Sequence, residues 1–194
     1  MYRGLDIQRL RRETEADHRA VEGALPLMHP ELDTVQYIRC LRNLYGLVAG
    51  WEGRAFEIAP EWIRPMLAER QRKRLLELDL AWFGASPKGD RHPALPPMND
   101  LPSLLGTMYV MEGSTLGGQL IARHVEKTLH LTEGQGDAFF RGHGDRTGPM
   151  WQEFCGMLNM QVSDDRTDTV VMAAKAMFST FGDWMREESV IDGS

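Results

Sequence analysis

This 194-residue sequence predicts an all-α fold, an irregular bundle of at least six helices. Long segments place apolar residues at spacings of three and four, and no stretch alternates apolar with polar residues as a half-buried strand would. No fixed-period repeat points to a solenoid. The first segment starts at Asp6, a good N-cap, and sets Ile7, Leu10, Thr14, His18, Val21 and Leu25 on one face. A second runs from Asp33-Thr34 through Val35, Ile38, Leu41, Leu44, Val48, Trp51, Ala55 and Phe56 and stops before Pro60. A third is expected as one helix from Glu61 to Phe83, closed by Gly84. Residues 84–100, with Pro87, Pro93, Pro96 and Pro97, read as an extended connection. A fourth helix follows Asp100, takes Pro102 into its first turn and continues through Leu104, Leu105, Met108, Met111, Leu116, Leu120 and Ile121 to about His130. Residues 131–148 are glycine-rich and irregular. Two more helices are expected, from Pro149 to about Val162 and from Asp168 to about Glu187.

Composition narrows the function classes. The length suits one domain over residues 1–194, with a core of its own. Lys and Arg total 22 against 28 Asp and Glu, and the net charge of -6 argues against a nucleic-acid coat or a basic membrane-surface protein. No apolar run approaches the roughly 18 residues of a membrane-spanning helix. The opening MYRGLDIQRLRRE has no apolar stretch with a cleavage site, so a cytoplasmic location is expected. Cys40 and Cys155 stand apart, with no CxxC, and read as packed thiols rather than a disulfide or zinc site.

Two features do not fit a plain bundle. His18 lies on the apolar stripe of the first helix and is expected to point inward, either as a hydrogen-bonded core histidine or as a metal ligand. Glu22, at i+4, can accept from one imidazole nitrogen while the other binds a metal. The second feature is Glu112-Gly113-Ser114-Thr115-Leu116-Gly117-Gly118-Gln119, with three glycines inside an apolar helical pattern. Each costs about 0.5–1 kcal/mol against alanine, so roughly 2–3 kcal/mol must be offset. Tight packing against another helix would do this, and so would close approach of the backbone to a flat ligand. Other chemistries fit less well. Glu15-x-x-His18 has no second copy to complete a di-iron site, Gly113-Ser114-Thr115 follows no strand as a nucleophile elbow would, and Gly117-Gly118 lacks the rest of a phosphate loop.

At these residues the sequence resembles the heme oxygenases, and among them the bacterial branch that makes biliverdin, often for bacteriophytochromes. Leu10 to His18 with Glu22 is similar to the family's proximal-helix pattern Leu-x-x-x-Thr-x-x-x-His-x-x-x-Glu. Leu76 to Gly84 is similar to its Leu-x-x-Asp-Leu-x-x-aromatic-Gly stretch, and Tyr109 to Gln119 resembles its glycine-rich distal helix. The resemblance implies heme b, as substrate and cofactor, held between a proximal and a kinked distal helix. It implies His18 as the metal ligand with Glu22 holding the ring, and a distal catalytic group of Gly113, Ser114 and Gly117 with Gly118 against the porphyrin. Arg11, Tyr109 and Lys175 are the implied heme-binding residues toward the propionates. A histidine ligand, unlike a thiolate, does not push toward O–O cleavage and suits attack on the ring.

The implied activity is cleavage of heme with O2 to biliverdin, CO and ferrous iron, with electrons from an external reductase or ferredoxin. A bacteriophytochrome would be a receiver of the product. Animal members carry an aspartate after the first distal glycine and an arginine three residues before it, where this sequence has Ser114 and Val110. The distal water network must therefore be organised differently. A heme carrier without turnover is the alternative on the same fold, and a thiaminase-type hydrolase would need a pocket cysteine that neither Cys40 nor Cys155 is placed in sequence to supply.

Overall fold

The computed structural model describes residues 5–89 and 91–191, of which 187–191 are described by backbone alone. Its helices are α1 (Ile7–Ala24), α2 (Thr34–Ile58), α3 (Arg64–Glu69), α4 (Lys73–Trp82), α5 (Leu101–Gly113), α6 (Gly118–Leu129), α7 (Ala138–Arg141), α8 (Thr147–Gln161) and α9 (Thr167–Ile191). No strand occurs among the described residues.

The starts of the long helices follow from local chemistry. Asp6 accepts from the Gln8 amide, Asp33 and Gln36 form a reciprocal capping box, and Asp100 and Ser103 form another. Each arrangement satisfies amides that the first helical turn would leave unpaired. The described residues of 84–100 contain no helix, as their prolines require.

Two expected helices are each broken. The single helix expected over 61–83 is instead a 3-10 turn at Glu61–Ile63 followed by α3 and α4, with a break at Arg70–Arg72. No proline or glycine stands there. The break turns both arginines inward, and each is only 4–5% exposed. The helix expected from Asp100 to His130 is divided at residues 114–117 into α5 and α6. There the backbone tightens to i→i−3 bonds, from Thr115 N to Glu112 O, Leu116 N to Gly113 O and Gly118 N to Thr115 O.

The core is one apolar cluster running from Leu5 to Met185. Its spine is the crossing of α5 on α9, and Gly106 makes the close approach possible: a Cβ there would lie 2.4 Å from the Val170 carbonyl oxygen. The α1 helix packs against the same α9, and the Pro26–Met28 turn packs against α6. The proximal stretch and the glycine-rich turn are thus fixed to one scaffold.

Candidate functional site

A cavity of about 50 Å³ lies between the end of α1 and the α5–α6 turn. Leu25, Leu44, Val48, Ile121, Phe139, Phe140 and Phe181 make it largely apolar, while Arg72, Ser114 and Thr115 form its polar end. Of the residues singled out in the sequence, Ser114 and Gly118 line it.

His18 does not point into the core, which corrects the expectation for that side chain. It is 51% exposed. Its ring stands edge-on to Phe178, with centroids 5.8 Å apart and planes at 85°. Nδ1 faces Glu22 Oε2 at 3.6 Å, so the carboxylate lies on one nitrogen and leaves Nε2 to other partners. Leu25 is the extended residue that caps the C-terminus of α1, and Phe181 is one turn beyond Phe178 on α9. His18 thus rests on Phe178, and Leu25 and Phe181 belong to the wall of the cavity that holds Ser114.

The three glycines have different roles. A Cβ on Gly118 would lie 2.2 Å from the Phe140 carbonyl oxygen, so this glycine is required by packing against α7. A Cβ on Gly117 would meet nothing within 4 Å, and one on Gly113 only the Trp151 ring at 3.8 Å. These two leave open backbone next to Ser114. Of the two explanations offered by the sequence, helix packing accounts for Gly118, and it does not account for Gly117.

The remaining predicted positions lie at the flanks. Lys175 Nζ pairs with Asp17 Oδ2 at 3.2 Å, which ties α9 to α1 beside His18. Arg11 is exposed. Tyr109 is buried, its ring 5.5 Å from Trp151. Burial raises its hydroxyl pKa above the usual range, and a hydrogen bond with Thr14 pulls it back. Tyr109 is therefore packed against the proximal helix, not set at an exposed rim.

The residue that the sequence reading missed is Arg72. Its Nη2 donates to Met111 O at 2.8 Å and to Ser114 Oγ at 3.0 Å, and its guanidinium lies 4.8 Å from the centre of the Phe139 ring. Glu52 Oε1 accepts from the Arg72 amide at 2.5 Å and the Lys73 amide at 3.2 Å. Arg70 Nε lies 3.6 Å from Glu112 Oε2, and Arg70 Nη2 donates to Glu153 Oε2 at 2.7 Å. Burial raises the Glu52 and Glu112 carboxyls above their ordinary range, and the neighbouring arginines and amides oppose the shift. His143 faces the same arginines, and its pKa is lowered by burial and by their charges. A signal was present in the sequence: Glu112 interrupts the apolar run Met108–Met111, and a carboxylate in a core stretch calls for a buried cation.

These residues fit heme as a ligand. A half-exposed histidine carries a carboxylate on one nitrogen and stands on an aromatic shelf, with open glycine backbone and an apolar cavity nearby. No group of three or more His, Cys, Asp or Glu side chains that could hold a metal ion occurs among the described residues. No described helix is long and apolar enough to cross a membrane.

Comparison with known proteins identifies the family. The heme oxygenase family model matches residues 6–187. A heme oxygenase of Xanthomonas campestris pv. campestris (strain 8004) is 31% identical over 164 residues, covering 81% of this chain and 92% of that protein. Among solved structures, the NO- and CO-bound heme oxygenase from Neisseria meningitidis aligns with a TM-score of 0.78 at 22% identity, covering 93% of this chain and 90% of its own. Heme oxygenase from Leptospira interrogans aligns with a TM-score of 0.75 at 23% identity, over 92% of this chain and 97% of its own. At such identities the structural matches establish the fold, while the family model and the Xanthomonas relative establish kinship: this chain belongs to the heme oxygenase family, a family of heme-degrading enzymes.

Proposed function

We propose that the chain binds heme as its substrate between α1 and the α5–α6 turn and cleaves it with O2 and external electrons to biliverdin, CO and ferrous iron. The observation that carries this reading is His18, half-exposed against Phe178 with Glu22 facing its Nδ1, on the helix whose C-cap residue Leu25 lines the cavity of Ser114 and Gly118. When bound, heme supplies both the ring that is opened and the iron at which oxygen is activated.

The chain's own residues have separable tasks. His18 would offer Nε2 to the heme iron, and Glu22, 3.6 Å from Nδ1, would hold the ring in orientation. Gly113 and Gly117 keep side chains away from the distal face. Leu44, Val48, Ile121, Phe139 and Phe140 exclude bulk water from the cavity, so that polar groups inside it act in a low dielectric. Arg11 and Lys175 provide positive charge near α1 for the propionates, Lys175 by exchanging its contact with Asp17. Electrons come from an external reductase or ferredoxin, and a bacteriophytochrome is a receiver for the product.

The test is hemin added to the purified protein and to His18→Ala. One-to-one binding with a histidine-type spectrum in the first, lost in the second, supports the reading. An identical spectrum in both contradicts it.

A further inference from the structure

We propose that Arg72, which lies outside the distal helix, is a positioning residue for the oxygen side of this site: it fixes Ser114 as a hydrogen-bond acceptor toward the cavity and supplies the positive charge at its polar end. The inference rests on the heme reading above and extends it to a residue in the break between α3 and α4.

Hydrogen-bond geometry carries the argument. The Nη2 group has two hydrogens, and both are used, one on Met111 O at 2.8 Å and one on Ser114 Oγ at 3.0 Å. The serine hydroxyl has one proton, which goes to the same Met111 carbonyl at 2.7 Å. With its proton engaged and one lone pair occupied by arginine, Ser114 can only accept from a group in the cavity. It cannot itself donate to oxygen. A water anchored on Ser114 keeps its own proton free to donate further into the pocket, which is what a distal network requires.

The surroundings hold the arginine in that pose. Arg72 lines the cavity, and it is the one charged side chain among the cavity's described lining residues. Glu52 from α2 and Glu112 from α5 face it with their carboxylates, and His143, from the segment before α8, faces both Arg72 and Arg70. Within this group Glu52 Oε2, Arg70 Nε and Nη1, and His143 Nε2 are buried without a hydrogen-bond partner among the described residues. Such atoms are the usual anchors of ordered water. The Phe139 ring under the guanidinium closes its apolar side.

The experiment compares the hemin-loaded protein with Arg72→Leu, Arg72→Lys and Ser114→Ala. Two readouts are used: the midpoint of the pH-dependent change in the ferric absorption spectrum, and turnover with ascorbate in air. Removing a nearby positive charge raises the midpoint, by about one unit for a charge within a few ångströms. Arg72→Leu is expected to raise it so and to slow turnover tenfold or more, with heme stoichiometry unchanged. Arg72→Lys, which keeps the charge, returns the midpoint most of the way toward the parent value. Ser114→Ala slows turnover while moving the midpoint little, and adding it to Arg72→Leu costs little more, because both act through one contact.

A heme-loaded Arg72→Leu with parent midpoint and parent turnover overturns the assignment. If circular dichroism shows that Arg72→Leu does not fold, Ser114→Ala decides, and parent turnover in that variant overturns the assignment equally. Failure of the unaltered protein to bind heme overturns the reading beneath it, an outcome the spectrum separates from an unmoved midpoint.

Discussion

His18 and Glu22 sit at the surface, 51% and 66% exposed, so neither contributes much to stability and both are free for a ligand. His18→Ala should fold with an unchanged melting temperature and lose both the histidine-type heme spectrum and turnover. Glu22→Gln should keep the ligand and lower turnover several-fold, since it weakens only the hold on Nδ1. The glycines make a sharper pair. Gly118→Ala drives a Cβ against the Phe140 carbonyl and should cost about 1–3 kcal/mol in a urea melt. Gly117, at φ -83° and ψ -11°, accepts an alanine without strain, and Gly117→Ala should gain up to about 1 kcal/mol while reducing heme turnover. Equal losses of stability at both positions would mean the turn is a packing device alone. The sequence marked His18 and the glycines because each broke a local rule, a histidine in an apolar stripe or glycines in a helix, and it marked Glu22 by its i+4 spacing from His18. Arg72 broke none, since Arg-Gln-Arg-Lys-Arg reads as a solvated charged stretch until its partners Glu52 and Ser114 are seen in space.

Among the elements, the long helices were legible because Asp6, Asp33 and Asp100 stand where caps belong and apolar spacing continues behind them. The break at Arg70–Arg72 was not, because it is set by tertiary demand: carboxylates on α2 and α5 draw the two arginines inward. The four-residue α7 is also too short for periodicity to reveal. It is anchored by Asp79, whose carboxylate accepts from the Ala138 and Phe139 amides at 2.8 Å each. That anchor places Phe139 and Phe140 in the cavity wall. Burial pushes the Asp79 carboxyl up to about 6 from 3.8, against the pull of the two amides. Between those values the folded chain binds more protons than the unfolded one. Stability from this group is therefore greatest below pH 3.8, falls as pH rises toward 6 and is flat above. Asp79→Asn removes the titration. Its stability deficit against the parent should narrow by about 2–3 kcal/mol from pH 4 to pH 7 in paired urea melts. A constant deficit would mean that Asp79 stays ionised throughout.

At the scale of the whole molecule, α9 is the common support, since α1, α2 and α5 all pack on it. Bringing α1 and the α5–α6 turn around one ligand should stabilise the fold by mass action, about 2.7 kcal/mol at a hundredfold excess over Kd. For a chain of this length that is a rise of roughly 5–10 °C in melting temperature. Calorimetry with and without hemin checks it, and His18→Ala should show a smaller rise. The net charge of -6 opposes nonspecific binding of an anionic ligand, so the proposed propionate contacts require local cations such as Arg11 and Lys175. The most direct test of the central claim is one titration with two readings. Hemin is added to the purified protein and the spectrum recorded, then ascorbate is supplied in air and the spectrum followed for several minutes. The account predicts a one-to-one histidine-ligated complex that decays into the broad red absorption of biliverdin; a heme complex that stays unchanged under reductant and oxygen would contradict it.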